Sequence, residues 1–305
     1  MQVLIIGSKK TRSVNRQIEA FSAAGFSRAD FLNIYKLNLV SKGGKTDIVD
    51  GGLKVSDYDA VYIRADLKLS PFVEPLLDEL RDRGIFTQLK PGAFYLNSNE
   101  ALQIAALNGR KLPFAKSVLV VDPKRIRDSA EKFRYPLIFK SFVSQTKTQS
   151  ILIESPRSLK SITKSIKMDL DCAILKEFEE ADLIQCAVIG NRVFAIRRRW
   201  NGSEIQRLEN GRFVEISDKE KVIAMRAALA CNCEIATVKL SNGIVTEVVP
   251  DINFPVFRQK IEEDLPKIIA LHFKSRISGK KLKLRKLTPS FFDRAKKFLE
   301  GVFNA

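Results

Sequence analysis

Hydrophobic positions in the first third of the chain alternate between short strand-like runs and the spacing of amphipathic helices. The run at 2–6 predicts a buried strand, and the next segment carries Ile18, Phe21 and Ala24 on one helical face before Gly25. The same reading predicts strands at 31–34, 59–63 and 95–96, and helices at 14–24 and 73–83. Alternating strands and helices favour a parallel sheet covered by helices over residues 1–95.

The pattern changes after residue 95. A helix at 100–107 stops at Asn108-Gly109, strands are expected at 117–121, 137–140 and 151–154, and a helix at 158–166. From 173 onward the strands are of the antiparallel type, with hairpins at 184–198 and 235–249 whose turns contain Gly190-Asn191 and Ser241-Asn242-Gly243. A helix at 218–230 lies between the hairpins, and another ends near Phe273. We therefore predict an α/β domain at 1–95, α+β lobes at 96–180 and 181–273, and a basic helical extension at 274–305.

Charge changes the picture of possible partners. The chain of 305 residues has a net charge of +17, and the extension contributes ten basic against two acidic residues. Phe291, Phe292 and Phe298 give the extension an apolar face, so we expect it to dock on the protein. Nucleic acid or a ribosome is one anionic partner that such a surface would suit, and an acidic protein tail or ATP itself is another.

One short segment concentrates this basic charge beside an aromatic ring. Arg197, Arg198 and Arg199 precede Trp200, the only tryptophan, and the combination suits stacking on a base and pairing with phosphate. The alternative is that Arg197 and Arg199 simply lie on one solvated strand face.

Other residue types exclude several classes of chemistry. No apolar run is long enough to span a bilayer and no signal-peptide core is present, so we expect a soluble, cytoplasmic protein without a membrane partner. Cys231-Asn-Cys233 lacks a second ligand pair, which favours buried cysteines over a metal knuckle. His272 is the only histidine, which excludes a histidine-based zinc site. The remaining candidates for chemistry are Lys, Arg, Asp, Glu and backbone groups.

Four stretches carry a family resemblance. They are a helix and turn running from Leu96-Asn-Ser-Asn-Glu-Ala101 to Leu107-Asn-Gly-Arg-Lys-Leu-Pro113, the strand Tyr135-Pro-Leu-Ile-Phe-Lys140, the strand Ala173-Ile-Leu-Lys-Glu-Phe178 followed by Cys186 to Ala195, and the segment from Val245 to Asp251-Ile-Asn-Phe-Pro255. In this order they resemble the ATP-grasp superfamily, and within it the RimK-like branch of ribosomal-protein glutamate ligases. The resemblance covers residues 1 to about 273.

The resemblance implies a fold, a reaction and roles for particular residues. It implies two α+β lobes that close on ATP and an ATP- and Mg²⁺-dependent ligase that joins a carboxylate to an amine, of an amino acid or peptide, through an acyl phosphate. Lys140 would contact the phosphates and Lys176, Glu177 and Phe178 would hold adenine. Asp182 or Glu179 would face the ribose, and Asp251 and Asn253 would hold Mg²⁺.

The chain also departs from the family pattern. Asn97-Ser98 stands where the family has a further lysine, and the loop 144–150 contains none of the family's glycines. Lys239 replaces a carboxylate twelve residues before Asp251, and the Arg-x-Asn element expected between Arg199 and Arg212 is missing. Lys239 would either pair with Asp251 and fill the metal site, or supply positive charge for a nucleotide. With these departures from the family pattern, the ligase activity that the resemblance implies would be reduced.

Each motif has a plainer explanation. Lys140 would be a solvated strand end, Glu177 and Glu179 an acidic rim, and Asp251 to Asn253 ordinary turn chemistry. The alternative function is thus a catalytically degenerate ATP-grasp scaffold that binds nucleic acid, a ribosome or a protein through its basic surface.

Overall fold

The computed structural model describes residues 1–43, 45–49, 53–143, 147–165, 172–178, 180–200, 211–258 and 261–279. The strands are β1 (Gln2–Gly7), β2 (Arg28–Asn33), β3 (Asn38–Lys42), β4 (Lys45–Val49), β5 (Ala60–Arg64), β6 (Phe86–Thr87), β7 (Ser117–Val120), β8 (Leu137–Val143), β9 (Lys147–Ile153), β10 (Cys172–Glu177), β11 (Leu183–Ile189), β12 (Arg192–Arg198), β13 (Arg212–Val214), β14 (Ile235–Ser241) and β15 (Ile244–Val249). The helices are α1 (Arg12–Ala23), α2 (Ser70–Asp82), α3 (Ala93–Ser98), α4 (Glu100–Gly109), α5 (Ile126–Ala130), α6 (Pro156–Ser165), α7 (Asp218–Ala230), α8 (Phe254–Phe257) and α9 (Leu265–Ile277).

The N-terminal strands form a parallel sheet in the order β2-β1-β5-β6, as the alternating pattern predicts. Both central strands are buried almost throughout, which explains why they appear in the sequence as continuous apolar runs. Gly25 and Gly84 follow α1 and α2 with φ of +88° and +70°, a conformation that glycine adopts without strain.

One local prediction is wrong. Tyr95 and Leu96 lie in α3 and not at a strand end. The buried carboxylate of Glu74 accepts hydrogen bonds from the backbone N–H groups of Gly92, Phe94 and Tyr95 at 2.5 to 3.0 Å. This contact from α2 satisfies the free donors at the start of a short helix, and nothing close in sequence indicates it.

The β3–β4 hairpin is a second element that the hydrophobic pattern does not reveal. Its strands pair in antiparallel register from Asn38 opposite Val49 to Lys42 opposite Lys45. The side chains of β3 are mostly exposed, so the hairpin lacks the apolar alternation on which the prediction depends.

After α4, the described residues form two antiparallel sheets. The central sheet has the order β7-β10-β8-β9, and the C-terminal sheet has the order β13-β12-β11-β14-β15. Both predicted hairpins, β11–β12 and β14–β15, are present. The order of an α/β part followed by α+β parts is therefore confirmed.

Hydrophobic packing joins the N-terminal sheet to the C-terminal sheet. One cluster of buried side chains combines Leu4 and Ile6 with Val238 and Leu240, and a second combines Val3 and Phe21 of the N-terminal part with Phe257 and Phe273. The central sheet has a smaller cluster of its own, which includes Phe139 and Leu175. The domain limits at 95, 180 and 273 stay a prediction.

Three of the cysteines are buried small side chains. Cys186, Cys231 and Cys233 are free thiols, and burial raises the pKa of Cys186 and of Cys231 to about 12. Among the described residues, no group of three or more His, Cys, Asp or Glu side chains is placed to hold a metal ion. In the same part of the chain, no helix combines the length and the apolar character that crossing a membrane requires.

Candidate nucleotide site

A cavity of about 440 Å³ lies between the central and the C-terminal sheets. Residues of α4, β8 and β10 line one side, and residues of β14 and β15 line the other. Ile138, Phe178 and Val248 supply apolar surface, and Lys140, Lys176 and Lys239 supply positive charge. A partly apolar cleft with a few convergent charged groups is the usual form of a small-molecule site.

Lys140 and Lys176 lie on the same face of the central sheet. Lys176 is directly opposite Ile138 in the antiparallel register, and Ile138 is two residues from Lys140 on β8. Side chains two apart on a strand point to the same face, so the register brings both ammonium groups to the cavity.

Glu100, a site residue that the sequence analysis missed, lies between these lysines. Its carboxylate accepts a hydrogen bond from Lys140, and its other oxygen is 3.0 Å from Nζ of Lys176. Burial alone would raise its pKa, but the charges of Lys176 and Lys140 outweigh burial and hold the pKa below the ordinary value. In the sequence an acidic residue after the N-cap Asn99 indicates only the start of a helix.

The predicted adenine-holding residues lie at the same cavity. Glu177 and Phe178 line it, and the ring of Phe178 contacts Trp200 edge to face at 5.3 Å. The backbone N–H of Glu177 donates to the carbonyl of Lys116 at 2.9 Å, so this N–H is already satisfied.

The carboxylate of Asp182, the predicted ribose contact, binds to other groups of the protein. Its carboxylate accepts from the backbone N–H of Trp200 at 3.0 Å and is 3.9 Å from Nε of Arg197. It is not among the residues that line the cavity.

Gln103 fixes α4 against the edge of the C-terminal sheet. Its amide donates to the carbonyl of Val248 at 2.9 Å and accepts from the N–H of the same residue at 3.0 Å. Further along this edge, the N–H of Val245 donates to the carbonyl of Pro113, and Phe114 forms an isolated parallel bridge with Val245. The helix that carries Glu100 is thus tied to β15.

Asp251, a predicted magnesium ligand, is held by an arginine from the N-terminal sheet. Nε and Nη2 of Arg64 donate to the two carboxylate oxygens at 3.0 to 3.3 Å, and Nη1 donates to Ser13 at 3.2 Å. Burial would lower the pKa of Arg64, but the charge of Asp251 raises it above the ordinary value. The guanidinium group also lies 4.7 Å above the ring centroid of Phe254.

Lys239 pairs with Glu247, and the Lys239–Asp251 pair considered above is not formed. Magnesium binds through free carboxylate and amide oxygens, but both oxygens of Asp251 already accept from Arg64. Asn253 is exposed at the N-cap of α8, and Lys239, twelve residues before Asp251, is a cation and not an acid. The described residues therefore do not fit Mg²⁺ in this arrangement, and we derive no step through a metal.

The basic segment does not present its three guanidinium groups together. Arg197 and Arg199 are exposed, but Arg198 is buried and donates to the side chain of Gln185. Burial lowers the pKa of Arg198. The solvated-face alternative thus describes Arg197 and Arg199, and the structure does not offer Arg198 to a nucleic acid.

Some predicted features lie outside the described residues. They are Glu179, positions 144–146 of the glycine-free loop, the region 201–210 and the extension from 280 onward.

Comparisons with known proteins agree with this architecture. The model of the RimK-like ATP-grasp domain matches residues 97–273. A probable alpha-L-glutamate ligase of Mannheimia succiniciproducens is 26% identical over 215 residues, which are 68% of this chain and 72% of that protein. One of Alcanivorax borkumensis is 25% identical over 289 residues, 88% of this chain and 92% of that protein.

Solved structures share the fold along most of the chain. The ATP-grasp ligase PsnB, complexed with a precursor peptide and AMPPNP, superposes with a TM-score of 0.66 at 18% identity and covers 90% of this chain and 98% of its own. A RimK-domain ATP-grasp protein of Sphaerobacter thermophilus superposes with a TM-score of 0.65 at 16% identity. The match covers 90% of this chain and 100% of that protein. The ATP-grasp fold is therefore confirmed. Because the family model matches residues 97–273, which are more than half of the chain, this chain belongs to the RimK-like ATP-grasp family.

Proposed function

We propose that the protein is a nucleotide-dependent carboxylate–amine ligase that binds ATP in the cavity between its central and C-terminal lobes. The observation that carries the proposal is the pair of lysines on one sheet face, Lys140 and Lys176, which line this cavity beside Glu177 and Phe178. Two ammonium groups next to an apolar slot suit a ligand with a flat apolar ring at one end and phosphates at the other.

The reaction divides into two displacements. A substrate carboxylate oxygen attacks the γ-phosphorus of ATP, and the bond to the leaving oxygen of ADP breaks to give an acyl phosphate. The nitrogen of an amine then attacks the acyl carbon, phosphate leaves, and the nitrogen loses a proton. Lys140 and Lys176 would hold the negative charge that develops on the transferred phosphoryl group.

The relatives suggest the substrate class. Those named above are probable alpha-L-glutamate ligases, and PsnB is complexed with a precursor peptide. We propose L-glutamate and a peptide as the substrates to examine first. Magnesium dependence with Asp251 and Asn253 as ligands also stays a prediction, and it would require Asp251 to exchange Arg64 for the ion.

The test is ATP binding by calorimetry, with and without Mg²⁺, on wild type and on Lys140→Ala. We expect binding in the wild type and at least about tenfold weaker binding in the variant, because a charge-assisted contact to phosphate is lost. Lys124→Ala removes an exposed lysine outside the cavity and should leave binding unchanged. Absence of binding at millimolar ATP, with or without Mg²⁺, would overturn the proposal.

Turnover tests the ligase reaction itself. ADP release should require a carboxylate and an amine together, with L-glutamate and glutamate-terminated peptides as the first pairs. ATP binding without ADP release from any such pair would contradict the ligase assignment.

A second candidate function is a scaffold without turnover. It is favoured by one observation, namely that Lys140, Lys176 and Arg64 each contact a carboxylate of the protein itself. The relatives named above give no support to a nucleic acid or ribosome partner. Salt-sensitive RNA binding that survives both Lys140→Ala and Asp251→Ala would favour the scaffold.

A further inference from the structure

The carboxylate of Glu100 lies at the centre of the positive charge in the cavity. It contacts the ammonium groups of both Lys140 and Lys176, and all three side chains line the same space. Lys176 is held further by the carbonyl of Thr246, to which its Nζ donates at 2.8 Å. One carboxylate of the protein therefore balances one of the two positive charges in the free protein, and one net positive charge is left.

A nucleotide phosphate and this carboxylate would bind to the same two ammonium groups. The side chain of Lys176 is only 8% exposed, so its charge is costly to leave without an anion. A phosphate that enters must share the charge of the two lysines with Glu100, so the gain in binding free energy is smaller than the full value of a new ion pair.

The helix that carries Glu100 is not free to slide away. Gln103, one turn later on α4, is bonded to both backbone groups of Val248, and Asn99 caps the helix by accepting from the N–H groups of Ala101 and Leu102. Rotation of the Glu100 side chain, which is 18% exposed, would release the lysines while α4 stays in place.

We propose that Glu100 is a specificity-determining residue that competes with the phosphates of a bound nucleotide for Lys140 and Lys176. This proposal rests on the function proposed above, that the cavity binds ATP. It follows that the phosphates of ATP add less to affinity in the wild type than they would without the charge of Glu100. It also follows that loss of the Glu100 charge strengthens the binding of ATP and leaves that of adenosine unchanged.

The experiment measures the dissociation constants of ATP and of adenosine by calorimetry for wild type, Glu100→Gln and Glu100→Asp. We expect Glu100→Gln to bind ATP about tenfold more tightly and adenosine within about twofold of wild type. Glu100→Asp keeps the charge on a shorter stem that cannot bridge both lysines, so it should tighten ATP binding by a smaller factor. It also carries the test if Glu100→Gln does not fold.

A matched control removes a carboxylate elsewhere. Glu79→Gln breaks an ion pair with Arg83 on α2, outside the cavity lining, and should change neither constant. Equal ATP affinity in wild type and both Glu100 variants would overturn the role of Glu100 and leave the nucleotide site standing. An equal gain for adenosine would overturn it as well, because the effect would not lie at the phosphates. If neither ligand binds to any variant, the proposed function itself fails.

Discussion

At the scale of single residues, the site is governed by contacts between charges that are far apart in sequence. Arg64 lies at the carboxyl end of β5. Its guanidinium group donates hydrogen bonds to both carboxylate oxygens of Asp251, 187 residues later. The Arg64 side chain is only 11% exposed, so Asp251 is the anion that balances a nearly buried cation. Removal of one member of such a pair leaves the other without its counterion, which costs more free energy than the pair itself contributes.

Replacement of Arg64 tests this dependence. We expect Arg64→Met to lower the free energy of unfolding by about 2 kcal/mol, because Asp251 and Ser13 lose their donors while the apolar stem is retained. Urea denaturation of the wild type and the variant measures this change in the free energy of unfolding. Arg16→Met is the matched control, since the Arg16–Asp264 pair is exposed on both sides and should contribute less than about 1 kcal/mol. Equal losses in the two variants would show that the Arg64 pair behaves as a surface contact.

At the scale of elements, short helices depend on groups supplied by other parts of the chain. α3 has six residues, and its N-cap is Gly92 in the left-handed conformation. Glycine has no side chain, so it cannot cap the helix itself. The carboxylate of Glu74 on α2 caps the helix instead, because it accepts hydrogen bonds from three backbone N–H groups at its start. α7, by contrast, carries its own capping box from Ser217 and Glu220.

We therefore expect the loss of a cap to lower the free energy of unfolding by different amounts for α3 and α7. Glu74→Ala should lower the free energy of unfolding by about 2–3 kcal/mol, because three buried or half-buried N–H groups lose their acceptor. Ser217→Ala removes an exposed local cap and should cost about 1 kcal/mol. Hydrogen exchange provides the second readout: the amides of Phe94 and Tyr95 should exchange faster in Glu74→Ala only. Unchanged protection of these amides would contradict the role of Glu74.

At the scale of the whole molecule, the first and last thirds of the described chain fold as one packed body. Phe273 of α9 contacts the rings of Phe21 and Tyr62 at 5.4 Å each and that of Phe86 at 5.0 Å. Helix α9 thereby covers the N-terminal sheet with residues from the other end of the chain. We expect N-terminal and C-terminal parts to unfold together.

Truncation of this ring tests the coupling. Phe273→Ala should lower the free energy of unfolding by about 3–5 kcal/mol, because a fully buried aromatic side chain is replaced by a cavity. Leu271→Ala, at an exposed position of the same helix, should cost less than about 1 kcal/mol. A Phe273→Ala variant in which β1 keeps its hydrogen-exchange protection while α9 loses it would show that the two parts unfold separately.

The sequence allowed the fold to be predicted further than the site. The hairpin at Gly190-Asn191 and the amphipathic α1 depend on neighbouring residues, so local patterns were enough. The partners of Glu74, Glu100 and Asp251 depend on packing between distant segments, and a single sequence contains no signal for such pairings. Lys140 and Lys176 are predicted through the family resemblance and line the cavity, whereas nothing in the sequence indicates the carboxylate of Glu100 between them.

The contacts along β15 limit how a peptide can bind. β15 is the edge strand of the described C-terminal sheet, and open edges invite the addition of another strand. Here Gln103 occupies both backbone groups of Val248, while Pro113 and Phe114 cover Val245. At these two positions neither a second copy of the chain nor a peptide can extend the sheet along that edge. A peptide substrate of the proposed ligase would therefore not be aligned by strand addition at Val245 and Val248, and other contacts in the cavity would have to set the position of its reacting carboxylate or amine.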